Sequence, residues 1–118
     1  MQSNTIKYVR NAEIPTGTGW KNADNYALIS SAGLYAILVS VDIGANNAGA
    51  EGSRILISSD GFLSYYGQNI YNMTYSQACN ISSFIITNLK VNDRVYASAY
   101  SSSTTATKYS YVLCLKIW

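Results

Sequence analysis

Residues 33–43, Gly-Leu-Tyr-Ala-Ile-Leu-Val-Ser-Val-Asp-Ile, constrain the fold more than any other stretch. They hold no proline, run toward a Gly/Asn-rich break and are dense in β-branched and aromatic side chains. Read with a period of two, Tyr35, Ile37, Val39, Val41 and Ile43 share one face, and Leu34, Ala36, Leu38, Ser40 and Asp42 share the other. That alternation, with β-branched enrichment, specifies a strand. A packed second sheet covers one face of such a strand. The apolar first half of the other face, Leu34, Ala36 and Leu38, needs a cover of its own, for which the candidate is a second copy of the chain.

Strand patterns recur at residues 5–10, 26–29, 53–58, 62–67, 78–89, 94–100 and 108–118. Ile55 and Ile57 point inward, Val95, Ala97 and Ala99 alternate with Tyr96, Ser98 and Tyr100, and the last strand sets Tyr109, Tyr111, Leu113, Leu115 and Ile117 against Ser110, Val112, Cys114, Lys116 and Trp118. Asp60-Gly61 favours a tight hairpin turn. Residues 44–52, Gly-Ala-Asn-Asn-Ala-Gly-Ala-Glu-Gly, read as a long exposed loop, and residues 101–107 as a polar loop tip. Residues 13–20 hold the single proline and two glycines, so they read as an irregular segment anchored by burial of Trp20. No stretch keeps a helical period. Short strands with turn signals every ~8–12 residues specify an all-β sandwich or barrel. The 118 residues make one domain, with residues 1–25 as a first strand and irregular lead-in.

Charged residues are 12% of the chain, against about 25% in an average domain, while hydrophobic residues reach 48%. Polarity comes instead from Ser, Thr, Asn and 11 Tyr. The net charge of +2 is scattered, which argues against nucleic-acid binding, since that needs a basic footprint. Histidine is absent, removing both the commonest general base and the commonest transition-metal ligand. With six acids and no evident carboxylate pair, the chain reads as a non-enzyme. Asp42, Glu51 and Asp60 lie around the same two loops and make a weak calcium candidate, against which stands the simpler reading of scattered surface acids. Cys79 and Cys114 read as buried free thiols, with a disulfide as the alternative. No segment has the ~20 apolar residues needed to span a bilayer, and the polar start has no signal-peptide run. The chain therefore reads as soluble, with no membrane insertion.

Several segments line up with a known family. Ala32-Gly33-Leu34-Tyr35-Ala36-Ile37 resembles the Gly-x-Tyr-x-Phe strand of C1q/TNF-like jelly rolls. Asn88-Leu89-Lys90-Val91-Asn92-Asp93-Arg94-Val95 resembles that family's Leu-x-x-Gly-Asp-x-Val segment, with Asn92 in place of Gly; Asn also tolerates positive φ. Residues 54–58 followed by Asp60-Gly61, and the closing residues 109–113, fall where the family has a strand and turn and an aromatic last strand. The resemblance runs from about residue 26 to residue 118. It implies a jelly-roll sandwich of about 8–10 antiparallel strands and a homotrimer around a threefold axis. Interface candidates are then Leu34, Ala36, Leu38, Tyr96, Tyr100, Tyr109, Tyr111 and Trp118, the aromatic ones weighed against an intrachain core.

The resemblance and the low charge together point to a non-enzymatic binding head of a homotrimeric fibre, most like the terminal head of a phage tail fibre or receptor-binding protein. Its location would be the virion or an extracellular surface. Its partners would be itself and host cell-surface saccharide. Saccharide recognition wants aromatic faces beside amides and hydroxyls, and tyrosine supplies apolar area with a polar tip. Tyr65, Tyr66, Asn69, Tyr71, Asn72 and Tyr75 have that composition, as do Asn46 and Asn47. The alternatives are a purely structural trimerisation knob and a secreted cytokine-like ligand. The Asn72 and Asn80 glycosylation triplets fit the last, but they arise by chance in a chain this rich in Asn, Ser and Thr.

Overall fold

The computed structural model describes residues 5–44, 49–103 and 107–118, with the backbone alone for residues 5–9. The strands along these residues are β1 (Thr5–Ile14), β2 (Gly19–Asn22), β3 (Ala27–Leu28), β4 (Gly33–Ile43), β5 (Gly49–Ser59), β6 (Phe62–Met73), β7 (Cys79–Leu89), β8 (Arg94–Ser101) and β9 (Lys108–Lys116). No helix occurs among the described residues. The strands form two antiparallel sheets. The first, sheet I, has the order β1-β9-β4-β7; the second, sheet II, has the order β2-β8-β5-β6, with β3 also on β8. Strands from the two ends of the chain thus lie beside strands from its middle, the crossover pattern of a jelly-roll sandwich.

The expected central strand is β4, with the predicted bounds. It is hydrogen-bonded to β9 on one side and β7 on the other. Tyr35, Ile37, Val39, Val41 and Ile43 are buried against Ile55, Ile57, Val95, Ala97 and Ala99 of the facing sheet. Each side chain so buried is worth about 1.5–3 kcal/mol. Tyr35 has no exposed surface, and its hydroxyl donates to Ser31 O at 2.7 Å, which removes the cost of burying that polar tip. Gly33 is required by close approach. A Cβ there would sit 2.4 Å from Trp118 O, where the chain end crosses and Leu34 N donates to that same oxygen at 3.1 Å.

The Asp60-Gly61 turn is a two-residue hairpin with both residues at positive φ (52° and 82°), the mirror-image turn that matches strand twist. Asn92 likewise has φ 74°, so it fills the left-handed position the resemblance left to glycine. The Lys90–Asp93 turn is closed by Lys90 N donating to Asp93 Oδ2 at 2.8 Å.

Four boundaries differ from the sequence reading. β1 runs to Ile14, because its pairing with β9 continues through Ile14 and Lys108. A strand also forms at Gly19–Asn22, held by β8 despite the glycines before it. β5 starts at Gly49, so residues 49–52 are strand and not loop; β6 pairs with all four and β8 with Glu51 and Gly52, and that pairing overrides the poor strand propensity of Gly and Ala. β6 extends to Met73, which makes the tyrosine-rich segment after Gly67 an edge strand.

Candidate functional site: two outer faces and one edge

Register fixes which side chains share the outer face of sheet I. Across β1, β9, β4 and β7, one row holds Glu13, Tyr109, Asp42 and Asn80, and the next Asn11, Tyr111, Ser40 and Ser82. Beyond them come Leu113, Leu38 and Phe84, then Leu115, Ala36 and Ile86, then Leu34 with Asn88. The face is therefore graded, acidic and amide-bearing at one end and apolar at the other. Phe84 is 58% exposed and Ile86 56% exposed, and no other element among the described residues lies over them. Leu34, Ala36 and Leu38 are half-buried by their strand neighbours alone. At the polar end, exposed Tyr109 stands between two shallow clefts. One, of about 390 Å³, is lined by Asp42, Cys79, Asn80 and Tyr109, and the other by Asn11, Glu13, Asp42 and Tyr111. Asn80 Nδ2 donates to Ser40 Oγ at 2.7 Å and to Asp42 Oδ1.

β6 and β7 form adjacent edges of the two sheets. From Gly61 to Leu89 the sequence holds no charged residue and no proline, so neither edge carries the lysines or prolines that keep edge strands from pairing with other chains. A bulge at Gly67, φ 66°, is their one irregularity among the described residues. The sheets are joined there by Ser53 Oγ and Ser83 Oγ at 2.7 Å and by Asn69 Nδ2 donating to Ser82 O at 2.6 Å.

The outer face of sheet II is aromatic and cationic. Tyr96 and Tyr100 lie here, on the opposite side of the molecule from Leu34, Ala36 and Leu38, so the eight interface candidates do not form one surface. Tyr96 packs on Tyr26 (ring centroids 5.2 Å apart) and Tyr100 meets Trp20 edge-on (5.4 Å). Tyr109 and Tyr111 do share the face of Leu34, Ala36 and Leu38, and Trp118 is exposed at the chain end beside Leu34. Sequence reading missed Arg54, whose guanidinium lies 4.0 Å from the Trp20 ring and 3.7 Å from that of Tyr65. Its signal was an arginine at an outward position of a strand whose other residues from 53 to 59 are Ser, Ile and Leu.

The ligand candidates also divide. Tyr65 and Asn72 point outward on sheet II, while Tyr66, Asn69 and Tyr71 point to the β7 side along the uncharged edge. Tyr75 is exposed in the turn after β6. Asn46 and Asn47 lie outside the described residues.

Of the calcium candidates, Asp42 lies on the outer face of sheet I, and Asp60 sits in the hairpin paired with exposed Lys90. Glu51 is inside the sandwich, where neither carboxylate oxygen has a hydrogen-bond partner among the described residues. Desolvation pushes its carboxyl above the usual range, offset in part by Ser101, whose hydroxyl nevertheless donates to Ser103 O at 2.9 Å, and by the charge of Lys108. Lys108, also fully buried, donates to Gly17 O at 3.0 Å, and desolvation lowers its ammonium, with attraction from Glu51 opposing and repulsion from Lys21 adding. No three His, Cys, Asp or Glu gather to hold a metal ion among the described residues. Cys114 is a buried thiol, pushed up to about 12 by desolvation, while Cys79 is half-buried.

The sequence matches no family model. It matches no curated protein either. The fold does have relatives among solved structures. An Eiger TNF structure from S. frugiperda superposes with a TM-score of 0.63 at 9% identity, covering 95% of this chain and 94% of that one. The globular domain of zebrafish complement 1qA protein gives 0.60 at 12% identity over 95% and 98%. Murine APRIL gives 0.58 at 10% identity over 93% and 100%. At such identities the likeness speaks for the fold: the chain is an all-β jelly roll of the C1q/TNF-like type.

Proposed function

We propose that this chain is a non-enzymatic binding head that works as a homotrimer, and that it recognises surface saccharide. The observation that carries the assembly is the apolar half of the sheet I outer face, with Phe84, Leu38 and Leu113 in one row, Ile86 in the next, and no other element among the described residues above them. The partner surface is a different one, the uncharged β6/β7 edge. A face on one copy meeting an edge on the next is a heterologous contact, which makes no two-fold pair and gives a ring when its rotation closes, as a trimer's does. Solved relatives of the TNF and C1q fold support this reading by architecture.

The saccharide reading rests on the exposed tyrosines and on the low share of charged residues in the chain as a whole, 12%. Tyr65, together with Trp20 and Tyr100, offers ring surface beside the hydroxyl and amide of Ser98 and Asn22 on the outer face of sheet II. That face stays open when sheet I assembles. A fibre tip on a virion, or another extracellular surface, is the setting such a head suits. A glycan array probed with the isolated domain tests the reading. Binding to a defined glycan class that is lost on Tyr65→Ala is the expected result. A trimer that binds no glycan would replace it with a purely structural knob.

A further inference from the structure

We infer that the outer face of sheet II reads a carboxylate-bearing sugar, a uronic or sialic acid, through Arg54. This deepens the saccharide reading above and rests on it. Arg54 is held between two rings, 4.0 Å from Trp20 and 3.7 Å from Tyr65, and its Nε donates to Ser98 Oγ at 3.1 Å. Three contacts thus fix a side chain that ordinarily loses much rotamer freedom when it binds, so the guanidinium is organised in advance. No acid neutralises it: the ion pair among the described residues is Lys90 with Asp60, at the hairpin. The strand residues facing outward around it, on β2, β8, β5 and β6, include Arg94 and no Asp or Glu. In a chain this poor in charge, two arginines on one acid-free aromatic face are a directed feature.

The chemistry of the occupant follows from these groups. A guanidinium fork with Nε already engaged presents its terminal nitrogens to a planar carboxylate, which can accept two parallel hydrogen bonds. The face around it is ring and hydroxyl, which suits a pyranose whose C–H side lies on tyrosine or tryptophan and whose hydroxyls meet Ser98 and Asn22. A bare anion would use the arginine alone; a neutral sugar would use the rings alone. Of these three, the acidic sugar alone uses both.

The test is a titration of the full chain, followed by amide and indole NMR shifts, with methyl glucuronoside, methyl N-acetylneuraminate, methyl glucoside and acetate as probes. Either acidic glycoside should shift the Trp20 indole and the Ser98 amide, saturating in the millimolar range or below, with glucoside and acetate at least tenfold weaker. Arg54→Gln should abolish the preference for the acidic glycosides, and Arg54→Lys, which keeps charge without the fork, should recover only part of it. Arg94→Gln serves as a folded, charge-matched control. Equal binding of glucoside would overturn the role of Arg54 while leaving saccharide recognition standing. Equal binding of acetate would reduce the site to a simple anion contact and overturn the inference. No shift with any sugar would remove the inference and the saccharide reading on this face together.

Discussion

Replacing Phe84 and Ile86 together by serine should dismantle the assembly while leaving the sandwich folded. Both side chains stand on the outer face of β7 with more than half of their surface exposed, 58% and 56%, so the intrachain core loses little when they are cut back. The cost falls on whatever covers them. For a phenylalanine of roughly 200 Å² the exposed share is roughly 115 Å², which at about 25 cal/mol per Å² is worth about 3 kcal/mol as an upper bound, and isoleucine adds about 2 kcal/mol. Allowing for incomplete cover, about 3 kcal/mol per protomer is a working figure, more than a hundredfold in each contact's equilibrium constant. The assay is sedimentation equilibrium across the micromolar range, paired with urea unfolding of the dissociated form. The expected outcome is a monomeric double variant with a near-native circular dichroism spectrum. An unchanged association constant would refute the reasoning, since it would mean that the exposed apolar half of sheet I is not what copies bury.

Three further outcomes follow from the interior and the turns. Glu51 is held above its ordinary value, 4.5, so the folded state binds its proton more tightly and stability falls as pH climbs from about 4.5 through the raised value; Lys108 is held below 10.5, so stability recovers as pH passes from its lowered value toward 10.5. Glu51→Gln, which takes the desolvated charge out of the sandwich, should therefore flatten that fall and raise the urea midpoint near neutral pH. In thiol titration of the native protein only Cys79 should react on the minute timescale, with Cys114 released by denaturant, because its thiol is buried and pushed up to about 12. Gly61→Ala, at φ 82°, should cost about 1 kcal/mol in thermal unfolding, whereas an alanine at exposed Ser82 on the sheet I face should be near neutral.

Much of the architecture was readable from the sequence because β4, β8 and β9 alternate cleanly and the β5–β6 hairpin and the turn before β8 use residues that accept positive φ. Gly33, Asp60, Gly61 and Asn92 each stand where the backbone demands them. Residues 49–52 were not readable as strand, since Gly, Ala, Glu and Gly carry no period-two signal and are held by pairing with β6 and, at Glu51 and Gly52, with β8. The same blindness hid Glu51, which looked like a loop acid and is an interior one.

The binding surfaces were legible only in part, for a geometric reason. Alternation says which residues of one strand share a face; it does not say which of a sandwich's two outer faces that is. Tyr96 and Tyr100 were therefore grouped with Tyr109 and Tyr111, although β8 and β9 belong to different sheets. Arg54 escaped notice because its partners, Trp20 and Tyr65, are distant in sequence and meet it only once β2, β8, β5 and β6 are laid side by side.

The mass of the unmodified chain at micromolar concentration, read by light scattering behind a sizing column, tests the central claim most directly. A single species near three times 12.9 kDa is the expected result. A stable species at 12.9 kDa would contradict it, leaving Phe84, Ile86 and Leu38 facing water with no copy to cover them.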